Sequence, residues 1–218
     1  MKFDQLKKNA AFSVLDYISY NSIIGIGSGS TVLYFIKALS NIKKNIFGVV
    51  SSSNDTTIIL KKYGIKVFDL NTIPSLMIYI DSADEINYDM QMIKGGGAAL
   101  TKEKILASSA RQFICIIDKS KKVNILGSFP LPLEVIPFSY SYICQEIIKL
   151  GGIPKYRKGV VTDNGNIIID VHNLNLNNPV MIEKYINSLS GVVTVGLFAS
   201  RTADVALIGT YSGIKLMN

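Results

Sequence analysis

The sequence predicts an α/β protein in which a mostly parallel sheet carries helices on both faces, with a small α+β domain added. Three observations lead there. Short apolar runs alternate with amphipathic stretches of helical period through the first half of the chain. A glycine-rich turn, Gly25-Ile26-Gly27-Ser28-Gly29, joins the first apolar run to the next helical stretch, which is the strand–turn–helix of a Rossmann-like sheet. After Gly127 the texture changes: Pro130, Pro132 and Pro137 fall close together, and Asn164-Gly165 signals a hairpin.

The elements follow in order. Asp4–Tyr20 carries Leu6, Ala10, Val14, Leu15 and Ile18 at helical spacing. Ser22–Ile26 is a strand, and Ser30–Ser40 a helix with Val32, Phe35, Ile36 and Leu39 on one face. Ile46–Val50 is a strand, Asn54–Tyr63 a helix, Lys66–Phe68 a short strand, and Met77–Ile80 a strand ending at Asp81. Gly95–Gly97 breaks the chain before a helix from Ala98 to about Ala110, and Phe113–Ile117 is again a strand. Ser139–Leu150 and Pro179–Leu189 read as helices, Val160–Thr162 and Ile167–Asp170 as the arms of the hairpin, and Val192–Val195 as a strand. Ala203–Ile208 is apolar throughout and is expected to return to the first sheet. The predicted domains are therefore 1–127 with 199–218, and 128–198.

Composition narrows the function. Of 218 residues, 48% are hydrophobic and 18% charged, which suits a packed core and excludes disorder. Apolar runs such as Phe113–Ile117 fall far short of a membrane span. Asp4, Lys7 and Lys8 precede any long apolar stretch, so the chain does not begin like a signal peptide and a cytoplasmic location is expected. The net charge of +7 comes from lysines in scattered pairs, with only Arg111, Arg157 and Arg201 as arginines. Nucleic-acid binders cluster such charge and favour arginine, so a small anionic ligand is the better expectation. Cys115 and Cys144 are far apart and read as packing residues. The single histidine, His172, gives no support to a zinc site or a Ser-His-Asp triad.

Four motifs carry candidate chemistry. The loop Gly25–Thr31 opens a helix, where free N–H groups and the helix dipole favour a phosphate. The hydroxyls of Ser28, Ser30 and Thr31, together with Gly29, suit a phosphomonoester; a serine-capped turn is the plain alternative. A dinucleotide fits less well, because Ser30 stands where the third glycine belongs and Ser51-Ser52-Ser53, without a carboxylate, follow the second strand. Next, Asp81-Ser82-Ala83-Asp84-Glu85 places three carboxylates just past a strand end, able to bind sugar hydroxyls, move protons or bind a divalent cation, or else to serve as turn chemistry. In Lys94-Gly95-Gly96-Gly97, three glycines are costly to order and let the backbone approach a ligand; Lys94 precedes them as a candidate electrophile, and Glu103 stands early in the following helix, where it either reaches back over the loop or is an ordinary surface glutamate. Last, Lys121 in Asp118-Lys119-Ser120-Lys121 lies at the same sheet edge, as a phosphate contact or a solvated loop lysine.

Taken together and in order, these segments resemble the type A ribose-5-phosphate isomerase family. The resemblance runs through Gly25–Thr31, Ser51–Ser53, Tyr79–Asn87, Met90–Ala107, Asp118–Lys121, Pro130–Pro137, Gly159–Asp170 and Gly191–Phe198. It implies interconversion of D-ribose 5-phosphate and D-ribulose 5-phosphate with no cofactor and no metal, by a cytoplasmic homodimer that needs neither nucleic acid nor membrane. Glu103 would match the base that moves a proton between C2 and C1, and Asp81 the carboxylate that assists ring opening and hydroxyl proton transfer. Asp84 would match a hydroxyl contact, and Lys94 the cation beside the enediolate oxygen. Ser28, Gly29, Ser30, Thr31 and Lys121, with Lys7, would match phosphate-side contacts; Ser82, Ala83, Gly95, Gly96 and Gly97 would line the substrate. Ser28 and Ser82 depart from the family's common threonine and glycine. Two rivals make different predictions. A nicotinamide-dependent oxidoreductase should be stabilised against heat by NAD(H), and a sugar-phosphate sensor should bind ribose 5-phosphate without converting it.

Overall fold

The computed structural model describes residues 2–218, and these divide into two compact units. The first comprises 2–83, 102–121 and 203–218. The second comprises 84–101 and 122–202.

The first unit begins with α1 (Lys2–Ser13), which continues as a 3₁₀ turn over Val14–Tyr17. Then come β1 (Ile23–Ile26), α2 (Ser30–Ser40), β2 (Gly48–Ser51), α3 (Asn54–Lys62) and β3 (Leu76–Asp81). Ser53 caps α3 by accepting from Thr56 N, the usual role of serine at a helix start. The predicted strand at Lys66–Phe68 contributes only a single parallel bridge, Val49 to Val67.

Two short strands of the second unit follow, β4 (Glu85–Ile86) and β5 (Met92–Ile93). Next comes α4 (Leu100–Ser109), whose residues from Lys102 on belong to the first unit, as does β6 (Ala110–Asp118). The predicted helix start at Ala98 moves to Leu100, because Ala98 has φ +59° and its N–H turns back to Gly95 O.

The remaining elements of the second unit are β7 (Leu131–Val135), α5 (Tyr140–Lys149), β8 (Ile153–Tyr156), β9 (Ile167–His172), α6 (Pro179–Ser188), β10 (Val192–Val195) and β11 (Leu197–Phe198). The chain closes in the first unit with β12 (Val205–Thr210) and β13 (Gly213–Met217).

In the first unit the sheet order is β13-β12-β6-β3-β1-β2, parallel except for the edge hairpin β12–β13. Ile24, Ile26, Ile78, Ile80, Ile114 and Ile116 alternate along three strands and pack with Val32, Phe35, Ile36 and Leu39 of α2 and Ala10 and Ala11 of α1. This is the α/β architecture with a mostly parallel sheet that the alternation predicts. β12 returns beside β6 as expected, with Leu207 opposite Ile116.

The second unit holds the antiparallel sheet β10-β7-β9-β8 and the small sheet β11-β5-β4. Leu131, Leu133 and Val135 of β7 pack with Ile169 and Val171 of β9, Ile143 and Ile147 of α5 and Ile186 of α6. Residues 84–101, placed by the sequence reading with the first domain, cluster here, because β4 pairs with β5 and β5 pairs with β11.

One sequence expectation fails in this unit, and one strand stands where the sequence assigned no element. The proline-punctuated stretch is strand β7; Pro132 is tolerated because each residue of an antiparallel strand bonds only one neighbour, and its carbonyl still accepts from Gly196 N at 2.7 Å. Val160–Thr162 is not a hairpin arm, and β9 pairs with β8 instead. Buried Glu134 accounts for this. It accepts from Thr162 Oγ1 (2.8 Å), Asn164 Nδ2 (2.9 Å) and Asn166 Nδ2 (2.8 Å), gathering 162–166 into a tight turn.

Candidate active site

The first unit concentrates its buried polarity at the carboxyl ends of β1 and β3, where an open parallel sheet binds ligands. Asp81 ends β3 with no exposure. Its Oδ1 accepts from the backbone N–H of Ser28 (3.0 Å) and of Ser82 (2.7 Å), and its Oδ2 accepts from the Tyr79 hydroxyl. Tyr79 reaches it because side chains two apart on a strand share a face. Gly27 makes room for this carboxylate: a Cβ there would lie 1.8 Å from Asp81 Cγ.

Ser28 joins Asp81 to a second carboxylate. Its N–H serves Asp81, while its Oγ donates to Glu103 Oε1 at 2.6 Å. Glu103 is buried in the first turn of α4 and is no surface glutamate. Ser82 also has a use for its side chain, since its Oγ donates to Ser28 O at 3.1 Å. Tyr79 is fully buried, its ring tilted by 39° against that of Phe113 with centroids 4.9 Å apart. Burial, and then the negative charges of Asp81 and Glu103, push its hydroxyl well above the ordinary tyrosine value. It therefore stays a hydrogen-bond donor to Asp81.

The rim of this unit is more open. Gly29 and Ser30 are exposed at the start of α2, Thr31 is buried, and Lys7 Nζ of α1 donates to Ser30 Oγ at 3.0 Å. Ala83 is buried next to the half-buried Ser82. Lys121 is half-buried in the 3₁₀ turn after β6, which Asp118 caps by accepting from Ser120 N at 2.8 Å.

In the second unit, the Lys94–Gly97 loop is held on several sides. Lys94 is 2% exposed, with Nζ 5.5 Å from the Phe198 ring centre and its backbone N–H donated to Gly196 O at 2.8 Å. Gly95 has φ +106°, which a residue with a side chain rarely adopts. Asp84 accepts from Gly96 N at 2.8 Å. Arg157 donates through Nη1 to Gly95 O and Gly96 O, both at 3.0 Å, and is itself paired with Asp170.

The sequence reading did not single out Tyr79, Glu134, Arg157 or Asp170. Tyr79 was findable from the period-2 rule, since it precedes Asp81 by two. Arg157 and Asp170 lie far from the glycine loop in sequence, and no local pattern joins them. Cys115 is buried and Cys144 half-buried, and neither is in a disulfide. Among the described residues no cluster of three or more His, Cys, Asp or Glu is placed to hold a metal ion, and no helix is long and apolar enough to cross a membrane.

Residues 48–213 match the family model for ribose 5-phosphate isomerase A (phosphoriboisomerase A). The chain belongs to the ribose 5-phosphate isomerase A family. It is 64% identical over 218 residues to the ribose-5-phosphate isomerase A of Buchnera aphidicola subsp. Acyrthosiphon pisum (strain Tuc7), covering 100% of this chain and 98% of that one. The crystal structure of ribose 5 phosphate isomerase A from Neisseria gonorrhoeae superposes with a TM-score of 0.96 at 44% identity, over 98% of this chain and 96% of that one. A D-ribose-5-phosphate isomerase in complex with phospho-erythronic acid matches with a TM-score of 0.96 at 34% identity, over the full length of both chains.

Proposed function

We propose that this chain interconverts D-ribose 5-phosphate and D-ribulose 5-phosphate by proton transfer through an enediolate. Family membership supports the substrate. The observation that carries the mechanism is the bond from Ser28 Oγ to Glu103, with Asp81 held on the same residue's N–H.

A hydrogen next to a carbonyl is weakly acidic until the charge left behind reaches oxygen. The reaction therefore needs a base, contributing about 10²–10⁴-fold, and a stabilised oxyanion, contributing about 10²–10³-fold. Glu103 takes the C2 proton of the open-chain aldose, and the electron pair moves through C1 onto O1. Lys94 supports the negative oxygen. The O2 proton passes to O1 with Asp81 assisting, and Glu103 returns its proton to C1, so that C2 becomes the carbonyl and atoms and charge balance. Asp81 also assists ring opening. Asp84 holds a hydroxyl, with Ser82, Ala83 and Gly95–Gly97 along the sugar. Ser28–Thr31, Lys7 and Lys121 serve the phosphate end, which fixes the reacting carbons in register. The reading includes a cytoplasmic homodimer, a state that light scattering tests directly.

The test is incubation of the purified chain with ribose 5-phosphate, following the ketose formed. Glu103→Gln should nearly abolish turnover while ribose 5-phosphate still binds. Turnover at the wild-type rate in that variant would remove Glu103 from the base's role.

A further inference from the structure

The triple glycine after Lys94 is the most mobile kind of backbone a chain can offer, yet one side chain holds two of its carbonyls. We propose that Arg157, locked in place by Asp170, is a positioning residue for the isomerisation: it sets the two peptide planes that follow Lys94. The inference rests on the isomerase reading above.

The geometry is specific. Arg157 Nε donates to Asp170 Oδ2 at 2.8 Å, and Nη2 pairs with Asp170 Oδ1. This two-point fork fixes the guanidinium plane. Nη1 is then left with two N–H groups, and it meets Gly95 O and Gly96 O, both at 3.0 Å. The first carbonyl belongs to the Gly95–Gly96 peptide, whose N–H is taken by Asp84 Oδ2 at 2.8 Å. That peptide is thus gripped at its oxygen by a cation and at its N–H by an anion. The second carbonyl belongs to the Gly96–Gly97 peptide. Because a trans peptide is planar with C=O and N–H opposed, turning Gly96 O to Arg157 turns the Gly97 N–H away from it.

Lys94 is therefore fixed from both sides. Its own N–H is held by Gly196 O, and the residue after it, Gly95, is held by Arg157 through its carbonyl. With the arginine gone, only the Asp84 bond to Gly96 N and the Ala98 N–H on Gly95 O would hold these peptides, and the backbone next to Lys94 would loosen. A lysine at 157 would keep the charge, but a single ammonium cannot hold a carboxylate fork and two carbonyls in one plane. Displacing a catalytic group by about 1 Å costs on the order of 10²-fold in rate.

The experiment compares wild type and Arg157→Lys with ribose 5-phosphate, with kcat counted per folded molecule from a thermal melt. A lost positioning contact lowers kcat by about 10–100-fold and leaves KM little changed. Amide exchange at Gly96 and Gly97 should also quicken in the variant. A purely structural arginine would lower the melting temperature and leave kcat per folded molecule intact. Wild-type kcat in Arg157→Lys, or a loss equal to the unfolded fraction, overturns the proposal. Should that variant not fold, Asp170→Asn is read by the same criteria. Wild-type protein that makes no ketose sinks the isomerase reading; an active wild type with an indifferent Arg157→Lys sinks only the clamp.

Discussion

Removing one oxygen atom from Ser28 tests the carboxylate arrangement most sharply. In Ser28→Ala the backbone N–H that serves Asp81 is retained, and only the Oγ that donates to Glu103 at 2.6 Å is lost. Glu103 is 3% exposed, so water is poorly placed to replace that donor. A hydrogen bond to a charged group is worth about 1.5–3 kcal/mol. At roughly 1.4 kcal/mol per tenfold, kcat/KM should fall by about 10–150-fold. Ser28→Thr keeps the hydroxyl and should retain most of the activity, its extra methyl being the only change. The assay is ketose formation from ribose 5-phosphate at several substrate concentrations, with circular dichroism to show that both variants fold. Wild-type kcat/KM in Ser28→Ala would refute the claim that this hydroxyl orients the base. Equal losses in the alanine and threonine variants would refute it as well, since bulk and not hydrogen bonding would then be the cause.

Other consequences can be measured alongside. Lys94→Ala should lower kcat more than Lys121→Ala, which should mainly raise KM; the reverse order in steady-state kinetics would mean that the two lysines exchange roles. Tyr79→Phe removes the donor to Asp81 Oδ2 and should cost about 1.5–3 kcal/mol near neutral pH, as read by urea unfolding. The alkaline side goes the other way. Tyr79 is raised well above 10.0 in the fold by burial and by Asp81 and Glu103, so the unfolded chain loses this proton first. The unfolded state then binds fewer protons, and the stability present below pH 10.0 declines as pH rises from there through the folded value. Tyr79→Phe should therefore show a shallower alkaline decline than wild type. Parallel stability curves above pH 10.0 would contradict this.

Much of the framework was legible in the chain itself. Helical and strand periods are local properties, so α2, α3, β1, β3, β6 and the return of β12 follow from spacing alone, and composition supported a packed core. The Gly25–Thr31 loop, the Asp81–Glu85 cluster and the Lys94–Gly97 run stood out as candidate segments because residues so costly or so polar rarely gather without cause. Tertiary structure decided what spacing could not: that Ser28 bonds both Asp81 and Glu103, that Glu134 draws 162–166 out of the expected hairpin, and that Arg157 and Asp170 hold a loop some sixty residues earlier in the chain. The physical reason is one of range. Propensity and period act between neighbours a few positions apart, whereas a hydrogen bond depends on which distant atoms the packed core brings within 3 Å, and that distance exists only once the chain has folded.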